Sequence, residues 1–320
     1  MQILRRLTRI AFFVMPVTIL LAYVAGCALG TGALHPQRVV LSPDSIARAD
    51  QAFAHVGASR ADFAVRPADG TALRGWKVRP PRPNGDWVLL FHGVADNRIG
   101  TLSYAQVLLQ HGYSVLMMDA RGHGESEGAI VTFGWKERDD THAVVDGLFV
   151  TESPHCLFAL GESMGAAVAL QSAGIEPRIE GVVAESSFRN LREVTYDYAG
   201  LHWSPLLGKT LFRPASMAAL PRMEREGGFR AGDVSPERAV ATRAFPVLLI
   251  CDSDDKMIPC RHSEAIYSAA MGPKSLWKVP GAGHTGAYGA QPAEFERHIL
   301  AFFEGIHLAK GLTQQRPPSS

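Results

Sequence analysis

The chain has 320 residues, 47% of them hydrophobic, and a mean hydropathy of +0.02, which is an ordinary composition for a globular protein. This length is ample for one large hydrophobic core or two small ones. The formal net charge of +1 excludes the strong positive field by which many nucleic-acid-binding proteins attract phosphate.

The N-terminal segment, residues 1–26, has the layout of an export signal or a membrane anchor. Three arginines and no acidic residue precede an uncharged apolar run, IAFFVMPVTILLAYVAG. The sequence VAGC at positions 24–27 resembles a bacterial lipobox, and this favours cleavage before Cys27 and lipidation of its thiol. The alternative is an uncleaved anchor, because residues 10–29 are long enough to span a bilayer. Both alternatives place the folded part outside the cytoplasm, in the cell envelope and attached to the membrane.

Residues 27–60 carry little pattern and are interpreted as a linker with one short helix, PDSIARADQAF. Two extended runs around Asp69-Gly70 then predict a β-hairpin.

Beyond it, helical segments alternate with the apolar strands WVLLF, SVLMM, CLFAL, IEGVVAE, PVLLI and SLWKV. Strands that are apolar throughout are typical of a mostly parallel sheet with helices on both faces. In such a sheet, the chemistry gathers at the carboxyl ends of the strands.

The strand CLFAL ends in Gly161-Glu162-Ser163-Met164-Gly165, and a helical segment follows directly. This spacing matches G-x-S-x-G, the nucleophile elbow of the α/β hydrolases, in which a serine lies on a sharp turn between strand and helix. A side chain in place of either glycine would clash at so sharp a turn, and the helix directs its N-terminal N–H groups at the site. Ser163 is therefore the candidate nucleophile, against the alternative of a plain tight turn.

In α/β hydrolases the catalytic residues follow the order Ser, then Asp or Glu, then His. Asp252, Asp254 and Asp255 follow the strand PVLLI, and the family's usual spacing to the proline of DKMIP selects Asp255 as the acid. Asp254 is a rival, Glu185 at the end of an earlier strand is a weaker one, and Asp252 stands where the family usually has glycine. His284 alone among the later histidines lies in a loop at the carboxyl end of a strand.

By the same resemblance, the oxyanion hole would consist of the backbone N–H groups of Met164 and Val94, the latter just after the HG turn that ends the strand WVLLF. His92 of that turn is predicted to be structural. The loop DARGHGESEG resembles the D-x-R-G-x-G-x-S loop of this superfamily. Its Arg121, His123 and Ser126 are interpreted as residues that shape the loop, because turn glycines and charge pairs account for it.

The region from Ala61 to Ile306 resembles an α/β hydrolase over nearly its whole length, with 188–233 interpreted as a helical lid and 307–320 as a flexible tail. The resemblance implies a serine hydrolase that cleaves a carboxylic ester of a small molecule through an acyl-enzyme, with thioester, amide or peptide bonds as further options. It implies no organic cofactor, and neither a metal site nor nucleic-acid binding is predicted. The alternative is a non-catalytic envelope protein that binds an acyl or peptidic ligand on the same scaffold.

Cysteines occupy positions 27, 156, 251 and 260. Cys156 lies in an apolar strand and is predicted to be a small core residue. A disulfide between Cys251 and Cys260 would require an oxidising compartment, and the sequence does not favour it. No group of cysteines and histidines has the spacing of a zinc site.

Overall fold

The computed structural model describes residues 2–199, 206–207, 210 and 212–314, with side chains from 15 to 311 within those ranges. Its centre is one eight-stranded sheet in the order β1-β2-β4-β3-β5-β6-β7-β8. The strands are β1 (Ser59–Val65), β2 (Leu73–Arg79), β3 (Trp87–Phe91), β4 (Ser114–Met118), β5 (Leu157–Glu162), β6 (Ile179–Glu185), β7 (Val247–Asp252) and β8 (Lys274–Val279). β2 pairs antiparallel with β1 and β4, and the other neighbours pair in parallel. The predicted hairpin and mostly parallel sheet are confirmed.

Helices cover both faces of this sheet, as predicted. In chain order, the α-helices are α1 (Gln2–Leu34), α2 (Pro43–His55), α3 (Leu102–Gln110), α4 (Glu137–Thr151), α5 (Met164–Ile175), α6 (Leu191–Ala199), α7 (Arg213–Gly227), α8 (Pro236–Thr242), α9 (Arg261–Ala269), α10 (Ala287–Ala290) and α11 (Pro292–Gln314). The predicted short helix is α2. Ser42 caps it by accepting a hydrogen bond from the backbone N of Ser45 at 3.1 Å, and Pro43 supplies the fixed φ that suits a first turn.

Successive residues of each central strand face opposite sides of the sheet, and both sides are buried. Leu90 and Phe158 belong to a core that includes buried residues of α2, α3 and α11. Leu89 and Ala159, one residue away on the same strands, belong to a second core with α4, α5, α8 and α9. This two-sided burial explains why the strand segments read as continuous apolar runs.

The helices α6 and α7 lie between β6 and β7 in the chain, inside the range predicted to be a lid. They form a third apolar cluster with Phe188, Phe229 and Leu34, the last residue of α1. The C-terminal end of α1 is therefore part of this cluster, where the sequence predicts a linker. Residues 200–205, 208, 209 and 211 of the predicted lid, Trp203 among them, lie outside the described residues.

Two features of the cysteines differ from the expectations. Cys251 and Cys260 form a disulfide with their Cα atoms 5.3 Å apart, because the loop between β7 and α9 turns back on itself. Cys156 is fully buried as predicted, but it also lies with His155 and His307, whose potential metal-ligand atoms are all within 4.8 Å of one another. His307 is far away in sequence, so no local spacing marks this group.

The C-terminal helix continues to Gln314, whereas the sequence predicts a flexible tail from position 307. Nδ1 of His307 lies 2.8 Å from Oδ2 of Asp86, a carboxylate with 1% of its side chain exposed. Nζ of Lys310 donates a hydrogen bond to Glu180 at 2.6 Å. These partners come from distant segments, so the local sequence does not reveal that they hold the helix. Residues 315–320 lie outside the described part of the chain.

We expect His307→Ala to destabilise the protein, because it leaves the buried Asp86 carboxylate without the imidazole. Loss of one partner of a buried polar group costs about 1–3 kcal/mol, and the thermal midpoint should fall accordingly. Leu308→Ala is the matched control, since Leu308 is 56% exposed on the same helix and should change the midpoint little. Equal midpoints for His307→Ala and wild type would show that the contact between His307 and Asp86 contributes nothing to stability.

Candidate active site

Ser163 stands at the end of β5 in a strained turn before α5. Its backbone has φ 52° and ψ −118°, which side-chain-bearing residues rarely adopt. A Cβ on Gly161 would lie under 3.0 Å from the backbone of Gly165, and a Cβ on Gly165 would lie under 3.0 Å from the backbone oxygens of Phe91 and His92. Both glycines of the motif are therefore required by close backbone approach, as predicted.

The structure brings Ser163, His284 and Asp255 together. Oγ of Ser163 lies 2.8 Å from Nε2 of His284, and Nδ1 of His284 lies 2.7 Å from Oδ2 of Asp255. The other carboxylate oxygen of Asp255 accepts backbone hydrogen bonds from Met257 and Ile258 at 2.8 and 2.9 Å. Burial alone would raise the pKa of Asp255, but hydrogen bonding and charge from His284 outweigh it and lower the pKa.

The two rival acids lie elsewhere. Asp254 is exposed, and its backbone N donates to the backbone oxygen of Ala282 at 2.9 Å. Glu185 is buried at the end of β6, where Oε1 accepts a hydrogen bond from the backbone N of Ala287, three residues after His284, at 3.0 Å. Glu185 therefore holds the loop that carries the histidine, while Asp255 contacts its ring.

Ser186 links Asp255 to Asp252, and no sequence signal pointed to this serine. Its Oγ lies 2.8 Å from Oδ2 of each aspartate. A hydroxyl donates one proton, so one carboxyl must be protonated and donate to the serine. Burial raises the pKa of Asp252, whereas the pKa of Asp255 is lowered. Asp252 is therefore the neutral acid, and Ser186 donates to the charged Asp255. The sequence hinted at this pair of aspartates only through Asp252, which stands where the family usually has glycine.

Tyr104 joins a second pair of carboxyls behind the serine. Its hydroxyl lies 2.9 Å from Oε2 of Glu162 and 2.9 Å from Oε2 of Glu185. By the same count of protons, one of these glutamates must also be neutral. Burial raises the pKa of Glu162 to about 7 and that of Glu185 to about 8, so Glu185 is the better candidate for the neutral acid.

Val94 and Met164, the predicted oxyanion donors, both line the cavity that contains Ser163. Met164 is the first residue of α5, where backbone N–H groups have no partner within the helix. Ala95 follows Val94 and is held by His123. Its backbone N donates a hydrogen bond to Nε2 of His123 at 3.2 Å. Ser163, Val94 and Met164 therefore border one space.

The histidines and the arginine near these donors shape loops. Nε2 of His92 accepts a hydrogen bond from the backbone N of Ala120 at 3.0 Å. Burial lowers the pKa of His92 and lowers that of His123 to about 4, so both rings are neutral near pH 7. Arg121 forms ion pairs with Asp140 and Asp69. These contacts agree with the structural roles predicted for His92, Arg121 and His123.

Backbone strain is concentrated at this edge of the sheet. Among the described residues, the non-glycine residues with positive φ are Ala95, Phe133, Ser163, Ser186 and Thr285. The first three line the cavity that contains Ser163. Ser186 links Asp252 to Asp255, and Thr285 follows His284. Such conformations persist where the surrounding structure imposes them, and they cluster at functional sites.

A cavity of about 840 Å³ opens at Ser163. Its walls come from α1, α6, α7 and the loops after β3 and β6, and every described residue that lines it is uncharged. The α1 wall includes Ala25, Ala28 and Leu29, which the sequence assigned to an export segment or linker. Cys27 on the same helix is a free, half-buried cysteine that lines a small pocket with Met217 of α7, and its lipidation stays a prediction.

Comparison with known proteins places this site in a family. A family model described as Serine aminopeptidase, S33 matches residues 83–219, which include Ser163. The uncharacterized protein YqkD of Bacillus subtilis (strain 168) is 30% identical over 254 residues, covering 77% of this chain and 79% of YqkD. The chain belongs to the α/β-hydrolase superfamily. Membership supports hydrolytic activity.

Two further comparisons extend the match. The uncharacterized protein YfhR of Escherichia coli (strain K12) is 27% identical over 243 residues, which is 73% of this chain and 77% of YfhR. The solved structure of the Pyrococcus furiosus esterase Pf2001 has a TM-score of 0.67 at 22% identity and covers 85% of this chain and 97% of that chain. This likeness confirms the α/β-hydrolase fold.

We expect the contribution of Glu185 to the stability of this α/β hydrolase to fall as pH rises from about 4.5 to about 8. The carboxyl of Glu185 titrates near 4.5 in the unfolded chain and near 8 when buried, so in this window only the folded protein retains the proton. Its stabilising contribution is complete below 4.5 and declines by at most about 1.4 kcal/mol per pH unit. The glutamine of Glu185→Gln cannot titrate. As pH rises over this range, the thermal midpoint of the wild type should therefore fall relative to that of Glu185→Gln.

Asp254→Asn is the control for this measurement, because Asp254 is exposed and its removal should leave the pH dependence unchanged. Thermal melts of the three proteins at several pH values give the slopes. Parallel slopes for Glu185→Gln and wild type would contradict a buried neutral glutamate.

Proposed function

We propose that the protein is a serine hydrolase that cleaves a carboxylic ester through an acyl-enzyme on Ser163. The observation that carries the proposal is the unbroken hydrogen-bonded series from Oγ of Ser163 through His284 to Asp255, with distances of 2.8 and 2.7 Å. It opens onto a cavity large enough for a small-molecule acyl group.

In the proposed mechanism, Oγ of Ser163 attacks the ester carbonyl carbon while Nε2 of His284 accepts the hydroxyl proton. Asp255 holds the ring by accepting from Nδ1–H and stabilises the imidazolium that forms. His284 then donates the proton to the departing alcohol, and the carbonyl bond is restored as the ester bond breaks. A water molecule, activated by the same histidine, hydrolyses the acyl-enzyme and restores the serine.

The backbone N–H groups of Val94 and Met164 are proposed to stabilise the oxyanion. The hydrogen bond from Ala95 to His123 fixes the first donor's loop, and the start of α5 fixes the second. Donors that are already in place need no reorganisation when charge develops, which is why such groups contribute strongly to catalysis.

The lining of the cavity favours an ester with an apolar acyl group over a peptide with a free amine. The matching family model is described as a serine aminopeptidase, and an aminopeptidase must bind an ammonium group. No carboxylate occurs among the described residues that line the cavity. A thioester would satisfy the same geometry. A purely ligand-binding role would not require the aligned serine and histidine.

We infer that this hydrolase acts outside the cytoplasm at a membrane. The apolar part of α1, Met15–Leu34, is long enough to cross a bilayer and has a mean hydropathy of 1.9. The disulfide between Cys251 and Cys260 is of a kind that persists in oxidising compartments. Both observations support a cell-envelope location.

Ser163 should be the residue that reacts with a fluorophosphonate probe. Full-length protein in detergent should be labelled stoichiometrically, and mass spectrometry should locate the adduct on Ser163. Ser163→Ala should abolish labelling and lower turnover of an activated ester on the order of 10⁶-fold. Labelling that persists in this variant would overturn the assignment, and an inert wild-type protein would favour a ligand-binding role.

Asp255→Asn should lower turnover on the order of 10⁴-fold, because the amide cannot stabilise the imidazolium or hold the productive tautomer. Asp254→Asn is the matched neighbour and should change turnover within about fivefold, since its exposed charge is screened by solvent. Turnover of one activated ester is measured for both variants, with thermal melts to exclude misfolding. If Asp254→Asn is the variant with the large loss of turnover, Asp254 and not Asp255 is the acid. If both variants keep their turnover, Glu185 becomes the candidate acid.

A further inference from the structure

The helix α1 packs on α7 through glycines. A Cβ atom on Gly26 would lie under 3.0 Å from the backbone oxygen of Ala215, and one on Gly30 would lie under 3.0 Å from that of Ala219. The two backbones therefore approach more closely than a larger residue would permit. Glycines four residues apart form the close-packing motif of membrane-spanning helices, and here the motif acts within one chain.

Polar contacts fix the register of α1 on α7. Oγ1 of Thr31 accepts a hydrogen bond from Nε of Arg222 at 3.0 Å and donates one to Oε2 of Glu226 at 3.1 Å. Nε2 of His35 lies 2.7 Å from Oε1 of the same glutamate. Leu34, between these two residues, is fully buried. The end of α1 is thus held at one position along α7.

Another face of α1 forms a wall of the cavity that contains Ser163, through Ala25, Ala28, Leu29 and Gly32. Cleavage before Cys27 would remove Ala25 from this wall and would remove Gly26 from the contact with α7. The wall is complete only while the segment before Cys27 stays attached.

Between Met15 and Leu29, α1 also carries large apolar side chains that are exposed. Its exposed large hydrophobic side chains between Met15 and Leu29 have exposed fractions of 56–64%. A contiguous apolar surface of this kind marks a site of contact with a membrane or a partner, and the sequence from residue 10 to residue 24, which precedes the cavity wall, carries no charge. Bilayer hydrocarbon is therefore the occupant that fits it.

We propose that α1 is retained as a membrane anchor and forms one wall of the substrate cavity, which takes a long-chain acyl ester from the membrane. The substrate class rests on the ester hydrolysis proposed above. The uncharged cavity of about 840 Å³ accommodates an alkyl chain, and α1 places its wall next to bilayer hydrocarbon. An acyl chain can pass along α1 from the bilayer to Ser163 with little exposure to water, which avoids the cost of hydrating it.

The test uses full-length protein in phosphatidylcholine vesicles, with p-nitrophenyl palmitate in the bilayer and p-nitrophenyl acetate in solution. Ala28→Trp fills part of the cavity, so the ratio of palmitate to acetate turnover should fall about tenfold or more. Each methylene excluded from apolar contact costs roughly fourfold in binding. Leu21→Trp is the matched control, since Leu21 is 64% exposed and is not among the residues that line the cavity. It should leave the ratio within about twofold.

An unchanged ratio in Ala28→Trp, in a protein still labelled at Ser163, would overturn the α1 wall while ester hydrolysis stands. A wild-type protein that hydrolyses neither ester and resists the fluorophosphonate would overturn the proposed function instead. Retention of α1 is decided independently of activity by mass spectrometry of membrane-extracted protein. A terminus before residue 15 with an unmodified Cys27 is expected, and a chain that starts at lipid-modified Cys27 would overturn the retained anchor.

Discussion

The left-handed backbone of Ser163 is the constraint on which the site depends. Such a conformation costs on the order of 1–3 kcal/mol and persists only where its surroundings impose it. Here β6 imposes it through a hydrogen bond from the backbone N of Ser163 to the backbone oxygen of Glu185 at 2.9 Å. The end of β3 imposes it by lying against Gly165. Ser163, the proposed nucleophile, borders the cavity where the ends of β3, β5 and β6 lie side by side.

Four buried or half-buried carboxyls, those of Glu162, Glu185, Asp252 and Asp255, lie near Ser163. Each of two hydroxyls, on Tyr104 and Ser186, is shared between a pair of them. A shared hydroxyl requires one neutral partner, so the site combines protonated acids with the charged Asp255. By this count, Asp252 and Glu185 are neutral, whereas Asp255, which faces the imidazole, is charged. Neutral neighbours limit the repulsion that several buried charges would otherwise exert on it.

The parts of the site that sequence could predict are those encoded locally. Ser163 followed from a strand, two glycines and a helix, and His284 from its place at a strand end. Ser186 and Tyr104 were missed because their roles arise where β6 meets β7 and α3 meets β5, across distant segments. The disulfide was missed because it depends on how one loop turns. The apolar character of α1 was evident, but its contact with α7 depends on residues far along the chain, and the Gly26-x-x-x-Gly30 spacing was its one local sign.

The contact between α1 and α7 joins segments far apart in the chain, since Thr31 and Glu226 are separated by 195 residues. Six of the eight strands lie between α1 and α7 in the chain, so α1 can dock only after most of the sheet has been synthesised. Closing so long a loop carries an entropic cost, which falls once the sheet has brought the ends together. The order of assembly follows: the strands around Ser163 can form first, and the cavity acquires its last wall at the end of folding.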